Sequence, residues 1–161
     1  MQKFGLVVIG AHSGGWLTSL FEEYKNHNIL LVEPVPYNIA LLKENTAKYK
    51  SINIETSAVS EKNEIKKFYY VKPNAVKKLG KHWASGIGSF DKQHIIKHKN
   101  KRFLVSDADI EEVNIQYLTF SDLIDKYLIG AIDLLQIDVE GAEFEILNSI
   151  NFEKIEIKKI I

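Results

Sequence analysis

The chain has 161 residues, which is enough for one domain with a hydrophobic core. Lysine plus arginine and aspartate plus glutamate number 21 each, so the overall charge indicates neither a nucleic-acid nor a membrane partner. The sequence contains no cysteine, which excludes disulfides, thiolate metal sites and a cysteine nucleophile. No apolar run approaches the roughly 18 residues of a membrane span, and the first one is too short for a signal peptide, so we expect a cytoplasmic protein.

The first predicted element is a strand, because residues 6–9 form a continuous apolar run of the kind found in parallel sheets. A glycine-rich turn, residues 10–15, follows it. A helix is expected next, because apolar residues recur at spacings of three and four. They are Leu17, Leu20, Phe21 and Tyr24. Such a turn offers bare backbone and the N–H groups of a helix start to a ligand, although a tight connection that binds nothing has the same pattern.

Two more strands and a helix are predicted before residue 60. The second strand, residues 29–32, ends at Glu33, and two nearby prolines favour a helix start, with the helix over 37–49. Residues 52–57 alternate in polarity and indicate a third strand. This alternation of strands and helices predicts parallel pairing through right-handed crossovers.

The middle of the chain breaks this regularity. A less buried strand is predicted at 66–71, and residues 72–102 then show no sustained period and are interpreted as a long loop. This loop carries nine lysines or arginines against one acid, which is typical of a solvated face. Its functional interpretation is a lid that attracts an anionic or sugar-like acceptor, and Trp83 would suit such a lid. The three histidines in the loop lack recognisable ligand spacing, so we predict no metal site.

Regular structure is predicted again from a strand at 113–117. Thr119 and Asp122 have the spacing of a capping box before a short helix that ends near residue 128. The strongest candidate for a buried strand is 132–137, which ends at Asp138. A helix over 142–150 is expected to direct three side chains toward the core, and a last strand begins at residue 156. The three side chains are Phe144, Leu147 and Ile150.

Three predicted strands end in residues that suit ligand binding. The first ends at the glycine turn, the second in Glu33 and the fourth main strand in Asp138. Carboxyl ends of parallel strands share one edge of a doubly wound sheet, where ligands bind. An acid at the second strand's end can accept both hydroxyl hydrogens of a ribose, although a solvated strand end has the same sequence. A nicotinamide dehydrogenase has much the same layout, but its G-x-G-x-x-G fingerprint is missing here.

Several segments, in order from about residue 6 to about residue 150, resemble the FkbM-type methyltransferases. They are GAHSG, VEPVPYNIALLKEN, SAVS and the run from LTFSDLI to LLQIDVEGAEFEIL. The resemblance implies an S-adenosylmethionine-dependent enzyme, commonly an O-methyltransferase. It also implies an α/β fold of class I methyltransferase type, with a Rossmann-like doubly wound, mostly parallel sheet. We expect a single domain over 1–161 that lacks the last C-terminal strands.

The resemblance also implies cofactor-binding positions. The residues that would wrap the methionine part are Gly10, Ala11, His12, Ser13 and Gly14. Glu33 would bind the ribose, with Pro34 shaping the turn and Asn38 nearby. The residues that would border the adenine are Ser57, Ala58 and Val59.

Catalysis is expected at the end of the fourth main strand. The resemblance assigns Asp138 and Glu140 to the transfer site, where a carboxylate would take or hold the proton of a hydroxyl acceptor. The expected acceptor is a small molecule or a glycan. One departure concerns Val8, where the family usually has an acid two residues before the first motif glycine. A cofactor-binding or interaction protein without catalysis is therefore the main alternative, and Asp138 could instead only order its loop.

Overall fold

The computed structural model describes residues 1–80, 82–97, 105–139 and 141–161, without the side chains of Leu79, His82 and Trp83. The strands are β1 (Gln2–Ile9), β2 (Asn28–Val32), β3 (Ile52–Glu55), β4 (Ala58–Val59), β5 (Glu64–Val71), β6 (Gly88–Ser89), β7 (Ile110–Leu118), β8 (Ile129–Ile137) and β9 (Glu156–Ile160). The helices are α1 (Thr18–Glu23), α2 (Pro36–Thr46), α3 (Pro73–Leu79), α4 (Lys92–Lys97), α5 (Phe120–Lys126) and α6 (Glu143–Ser149). Short 3-10 turns span Gly15–Leu17, His82–Gly86 and Asp107–Asp109.

The chain forms two compact units. The larger contains residues 1–64 and 116–161, and the smaller contains residues 65–115. None of the helices in the described ranges is long and apolar enough to span a membrane.

The larger unit is built on a parallel sheet with the strand order β3-β2-β1-β8-β9. The central strand, β1, pairs with β2 through Ile9 opposite Val32, and with β8 through Ile9 opposite Ile137. The strands that follow β1 in sequence are first added on one side of it (β2, β3) and later on its other side (β8, β9). Ligands of α/β sheets bind at the strand where the order reverses in this way. The predicted α/β class and parallel sheet are confirmed.

Helices cover both faces of this sheet. On one face Phe21 of α1, Leu42 of α2 and Leu17 of the 3-10 turn before α1 pack with Leu6, Val8 and Leu31. On the opposite face α5 buries Phe120 and Leu123, and α6 and the residue after it bury Ile146 and Ile150, with Val7, Ile9 and Leu135. Alternate residues of β1 thus serve different faces, and each such fully buried side chain stabilises the fold by about 1.5–3 kcal/mol.

Two local predictions have opposite outcomes. The cap of α5 is confirmed, because the Thr119 hydroxyl accepts a hydrogen bond of 3.1 Å from the Asp122 backbone N–H. The prediction that Phe144 faces the core is wrong, since its side chain is 75% exposed. Ile146 is buried instead. It lies two positions after Phe144, and side chains two positions apart on a helix point in directions that differ by about 200°. The core-facing stripe of α6 therefore excludes Phe144.

The smaller unit has a core of its own. Its β5 and β6 pair antiparallel, and the buried residues of its core cluster are Val71, Ala75, Ala84, Ile87, Ile95, Val105 and Ile110. The expected loop over 72–102 is therefore wrong at α3 and α4, which are helical. These helices have seven and six residues, too few for the sequence to show a period. The rest of the expected loop includes residues 81 and 98–102, which lie outside the described part, and the lid remains a prediction.

Candidate functional site

The glycine turn is locked against the ends of both neighbouring strands. The backbone N–H groups of Gly10 and Ala11 donate to the Val32 carbonyl at 3.0 and 2.9 Å. Gly10 has φ +92°, and a Cβ at this position would lie 1.9 Å from the carbonyl oxygen of Asp138. The Asp138 N–H donates to the Ile9 carbonyl at 2.9 Å. Only glycine therefore permits this approach between the end of β1 and the residue that follows β8.

The remainder of the turn is held by α2. His12 and Gly14 have φ values of 52° and 73°, and the Asn45 side-chain amide donates to the Ser13 carbonyl at 2.8 Å. Ala11 is fully buried, whereas His12 and Ser13 are partly exposed. The sequence did not identify Asn45 as an anchor, because nothing local relates a residue of α2 to the turn. The five predicted turn residues thus lie together at the carboxyl edge of the sheet.

Glu33 is a buried carboxylate that already has several donors. Its Oε1 accepts from the Val35 backbone N–H at 2.9 Å and from the Asn38 amide at 3.2 Å. Its Oε2 accepts from the His12 backbone N–H at 2.8 Å. Burial raises the pKa of Glu33, while the hydrogen bonds from Val35, Asn38 and His12 oppose that rise. Glu33 therefore joins the glycine turn to the start of α2, and Asn38 lies beside it as expected.

The hydrogen-bond capacity of Glu33 limits what it can do for a ligand. A carboxylate has about four acceptor positions, and three are used by donors in the described part of the chain. The remaining position is on Oε2. Glu33 can therefore accept one further hydroxyl hydrogen with all of its present bonds intact. A second ribose hydroxyl would have to replace one of these donors, which refines the expectation that Glu33 accepts both.

A second acid, Glu55, ends β3 beside Glu33 and was not identified from the sequence. The Glu33 backbone N–H donates to the Glu55 carbonyl at 3.0 Å. The Glu55 side chain is 3% exposed, and it binds the Lys126 ammonium at 2.6 Å and the Tyr127 hydroxyl at 3.1 Å. Burial acts to raise the pKa of Glu55, but Lys126 and the hydrogen bonds from Ser57 outweigh it, so the pKa is lowered. The predicted strand 52–57 placed Glu55 inside the strand, whereas the observed strand ends at Glu55, so the signal that identified Glu33 did not identify Glu55.

This ion pair gives a pH-dependent prediction. Because the pKa of Glu55 in the folded protein lies below its usual 4.5, the stabilisation is complete above pH 4.5 and is lost as the pH falls through the folded pKa. Lys126→Met should lower the free energy of unfolding by about 1–2 kcal/mol at pH 7 and by less at pH 3. The value at pH 7 is smaller than for a fully buried ion pair, because the Lys126 side chain is about half exposed. Urea unfolding at both pH values measures this. The control is Lys43→Met at an exposed position of α2, and equal losses at both pH values would contradict the prediction.

The three residues expected to border the adenine are buried. The Ser57 backbone N–H donates to Glu55 Oε1 at 2.9 Å, and Ala58 and Val59 form β4, which pairs with β7. The side chain of Val59 packs in the core cluster that includes Val7 and Ile9. The adenine role of this segment remains a prediction, and Val59 already uses its side chain for packing.

The two expected catalytic residues differ in what is known of them. Asp138 directly follows β8 and its side chain is exposed, while its backbone is held by Ile9. Glu140 lies outside the described residues. Glu33 and Asp138 follow strands on either side of β1, and two strand spacings correspond to about 10 Å. The two acids therefore follow strands that flank β1 at the same edge of the sheet.

These features define an α/β protein whose parallel sheet presents a glycine turn between two acidic strand ends. The family model described as the methyltransferase FkbM domain matches residues 9–161, nearly the whole chain. The chain therefore belongs to the FkbM family of methyltransferases, which confirms the resemblance inferred from its motifs. Comparison with curated proteins gave no match, and comparison with solved structures gave none.

Proposed function

We propose that the protein transfers a methyl group from S-adenosylmethionine to a hydroxyl oxygen of a small molecule or a glycan. The observation that carries this proposal is the close approach of Gly10 to the Asp138 carbonyl, with Glu33 bound to the same glycine turn. The chain in which this occurs belongs to a methyltransferase family. The strand order, with its reversal at β1, supports a Rossmann-like sheet of the class I methyltransferase type.

The residues at this edge fit such a cofactor. Oε2 of Glu33 has an acceptor position left for a ribose hydroxyl, and a carboxylate strengthens that hydrogen bond. The turn at 10–14 would bind the methionine part, and residues 57–59 would lie against the adenine. When bound, S-adenosylmethionine supplies a methyl group attached to a positively charged sulfur. The chain's own task is then to position donor and acceptor in line, and positioning can supply much of the acceleration.

Asp138 supplies the chemistry toward the acceptor. Its exposed carboxylate would accept the hydroxyl proton of the acceptor, or hold it through a hydrogen bond, and so make the acceptor oxygen a better nucleophile. The hydrogen bond from the Asp138 N–H to Ile9 keeps the backbone fixed while the side chain does this. Proton handling of this kind contributes a factor of about 10²–10⁴ in rate.

Calorimetry with three ligands tests the proposal most directly. We expect S-adenosylmethionine and S-adenosylhomocysteine to bind and NAD to bind far more weakly. An assay for S-adenosylhomocysteine release against a panel of sugars and hydroxylated small molecules then identifies the acceptor. Binding of NAD alone would contradict the proposal, whereas cofactor binding without transfer to any acceptor would indicate a non-catalytic binding protein.

Glu33→Gln is expected to weaken S-adenosylhomocysteine binding by about 1–3 kcal/mol, the usual effect of losing a hydrogen bond to a charged group. The amide would also turn an N–H group toward donors such as the His12 backbone. Calorimetry measures the affinity, and Glu44→Gln at an exposed position of α2 is the matched control.

A second ligand separates ribose binding from the structural role of Glu33. If Glu33 contacts the ribose, wild-type protein loses affinity for 2′,3′-dideoxyadenosine relative to adenosine, and the Gln variant loses much less. An equal loss in both proteins would restrict Glu33 to holding the turn.

A further inference from the structure

Gln136 is a polar residue near the carboxyl end of β8, an interior strand of the parallel sheet. It is the last residue but one of β8 and pairs in register with Val8 of β1. Leu134, two residues earlier, packs on the face covered by α1 and α2, and alternation along a strand directs Gln136 to the same face. Gln136 precedes Asp138 by two residues, which corresponds to about 7 Å along the strand. It therefore lies close beneath the ligand edge.

The amide oxygen of Gln136 is buried and has no hydrogen-bond partner in the part of the chain that the structure describes. A buried acceptor without a donor costs about 1–3 kcal/mol of stability, so such groups are rare in folded proteins. A bound ligand that donates a hydrogen bond to this oxygen would remove that cost.

The surroundings of Gln136 indicate which part of a ligand would supply it. Its neighbour Val8 is fully buried and offers no side-chain donor. Val8 packs in a cluster that includes Ala11 of the glycine turn and Leu17 of the turn that follows. Gln136 is thus the register neighbour of a residue in the apolar cluster that supports the glycine turn. Our proposed function gives that turn to the methionine part of the cofactor.

We propose that Oε1 of Gln136 accepts a hydrogen bond from the α-ammonium group of the bound methyl donor. This inference rests on the proposed function, since it concerns the same ligand. An ammonium carries three N–H donors and an amide oxygen accepts from them without titrating. Gln136 is then a specificity-determining residue that distinguishes ligands with an amino-acid end from plain nucleosides.

Two ligands and one variant test this role. Gln136→Met retains the length of the side chain and removes the amide. We expect it to weaken S-adenosylhomocysteine binding by about tenfold or more, as for other hydrogen bonds to charged groups. Affinity for 5′-methylthioadenosine, which lacks the amino-acid end, should remain unchanged. Calorimetry provides both values, and Gln116→Met, at an exposed position of β7, is the matched control.

Stability provides an independent readout. Because Gln136→Met removes an unsatisfied buried acceptor, the melting temperature without ligand should rise by about 2–4 °C. A residue that only supports the fold would show a fall instead. Gln136→Glu retains an acceptor and should keep the preference for S-adenosylhomocysteine over 5′-methylthioadenosine.

The outcomes separate this inference from the proposed function. Wild-type protein that binds neither ligand would overturn the proposed function and the role of Gln136 together. Wild-type binding that Gln136→Met weakens equally for both ligands, or leaves unchanged for both, would overturn the role of Gln136 alone. A melting temperature that falls in the Met variant would likewise assign Gln136 to the fold.

Discussion

Gly10→Ala is expected to lower the free energy of unfolding by about 3 kcal/mol, and the melting temperature by roughly 10 °C. Two costs add. The φ of +92° is unfavourable for any residue with a Cβ, by about 1–2 kcal/mol. The new methyl group would also lie 1.9 Å from the Asp138 carbonyl oxygen, and relieving such an overlap in a packed region costs about 1–3 kcal/mol.

The same substitution five residues later provides the control. At Gly15 the nearest atom to an added Cβ is the Ser13 hydroxyl oxygen at 3.8 Å, which is ordinary contact. Gly15→Ala should therefore change stability by less than about 0.5 kcal/mol. Thermal and urea unfolding of the two variants measure the difference. Equal stabilities would mean that the end of β1 and the residue after β8 do not approach each other as described.

Gly10→Ala should also reduce cofactor affinity, because the strand ends would have to separate at the point where the ligand is expected. This effect is measured by calorimetry at a temperature where the variant is still folded. Retained affinity in a destabilised variant would assign Gly10 to folding alone.

The convergence of Gly10, Glu33 and Asp138 was predictable from the sequence for a simple reason. Each directly follows an apolar run, and parallel strands connected by helices bring their carboxyl ends to one edge. The family resemblance, carried by motifs at the same positions, agreed with this pattern. Burial of a strand and its end residue are local properties of the sequence, so the main features of the site could be predicted.

Partners distant in sequence could not be predicted. Tyr127, which donates to Glu55, lies 72 residues from it, and no local pattern connects them. Gln136 is one of two polar side chains in a mainly apolar strand, and only its register with Val8 relates it to the glycine turn. The helices of the smaller unit are short, and a helix of two turns leaves almost no period in the sequence.

Asp138→Asn is expected to lower turnover by a factor of about 10²–10⁴, the largest effect on activity among these variants. Asn has nearly the same shape but cannot take a proton, so it tests proton handling without creating a cavity. Folding should be almost unaffected, because the Asp138 side chain is exposed and its structural hydrogen bond to Ile9 comes from the backbone N–H.

Two measurements make the Asp138 result specific. Affinity for S-adenosylhomocysteine should change little, since Glu33 and the glycine turn, rather than Asp138, are expected to hold the cofactor. Asp125→Asn, an exposed acid on α5, should retain full turnover and serves as the control for loss of one negative charge. An Asn variant with full turnover on a confirmed acceptor would exclude proton handling by Asp138, because an amide cannot substitute for a base. A loss of turnover that is matched by a loss of cofactor affinity would instead show that Asp138 supports the binding site.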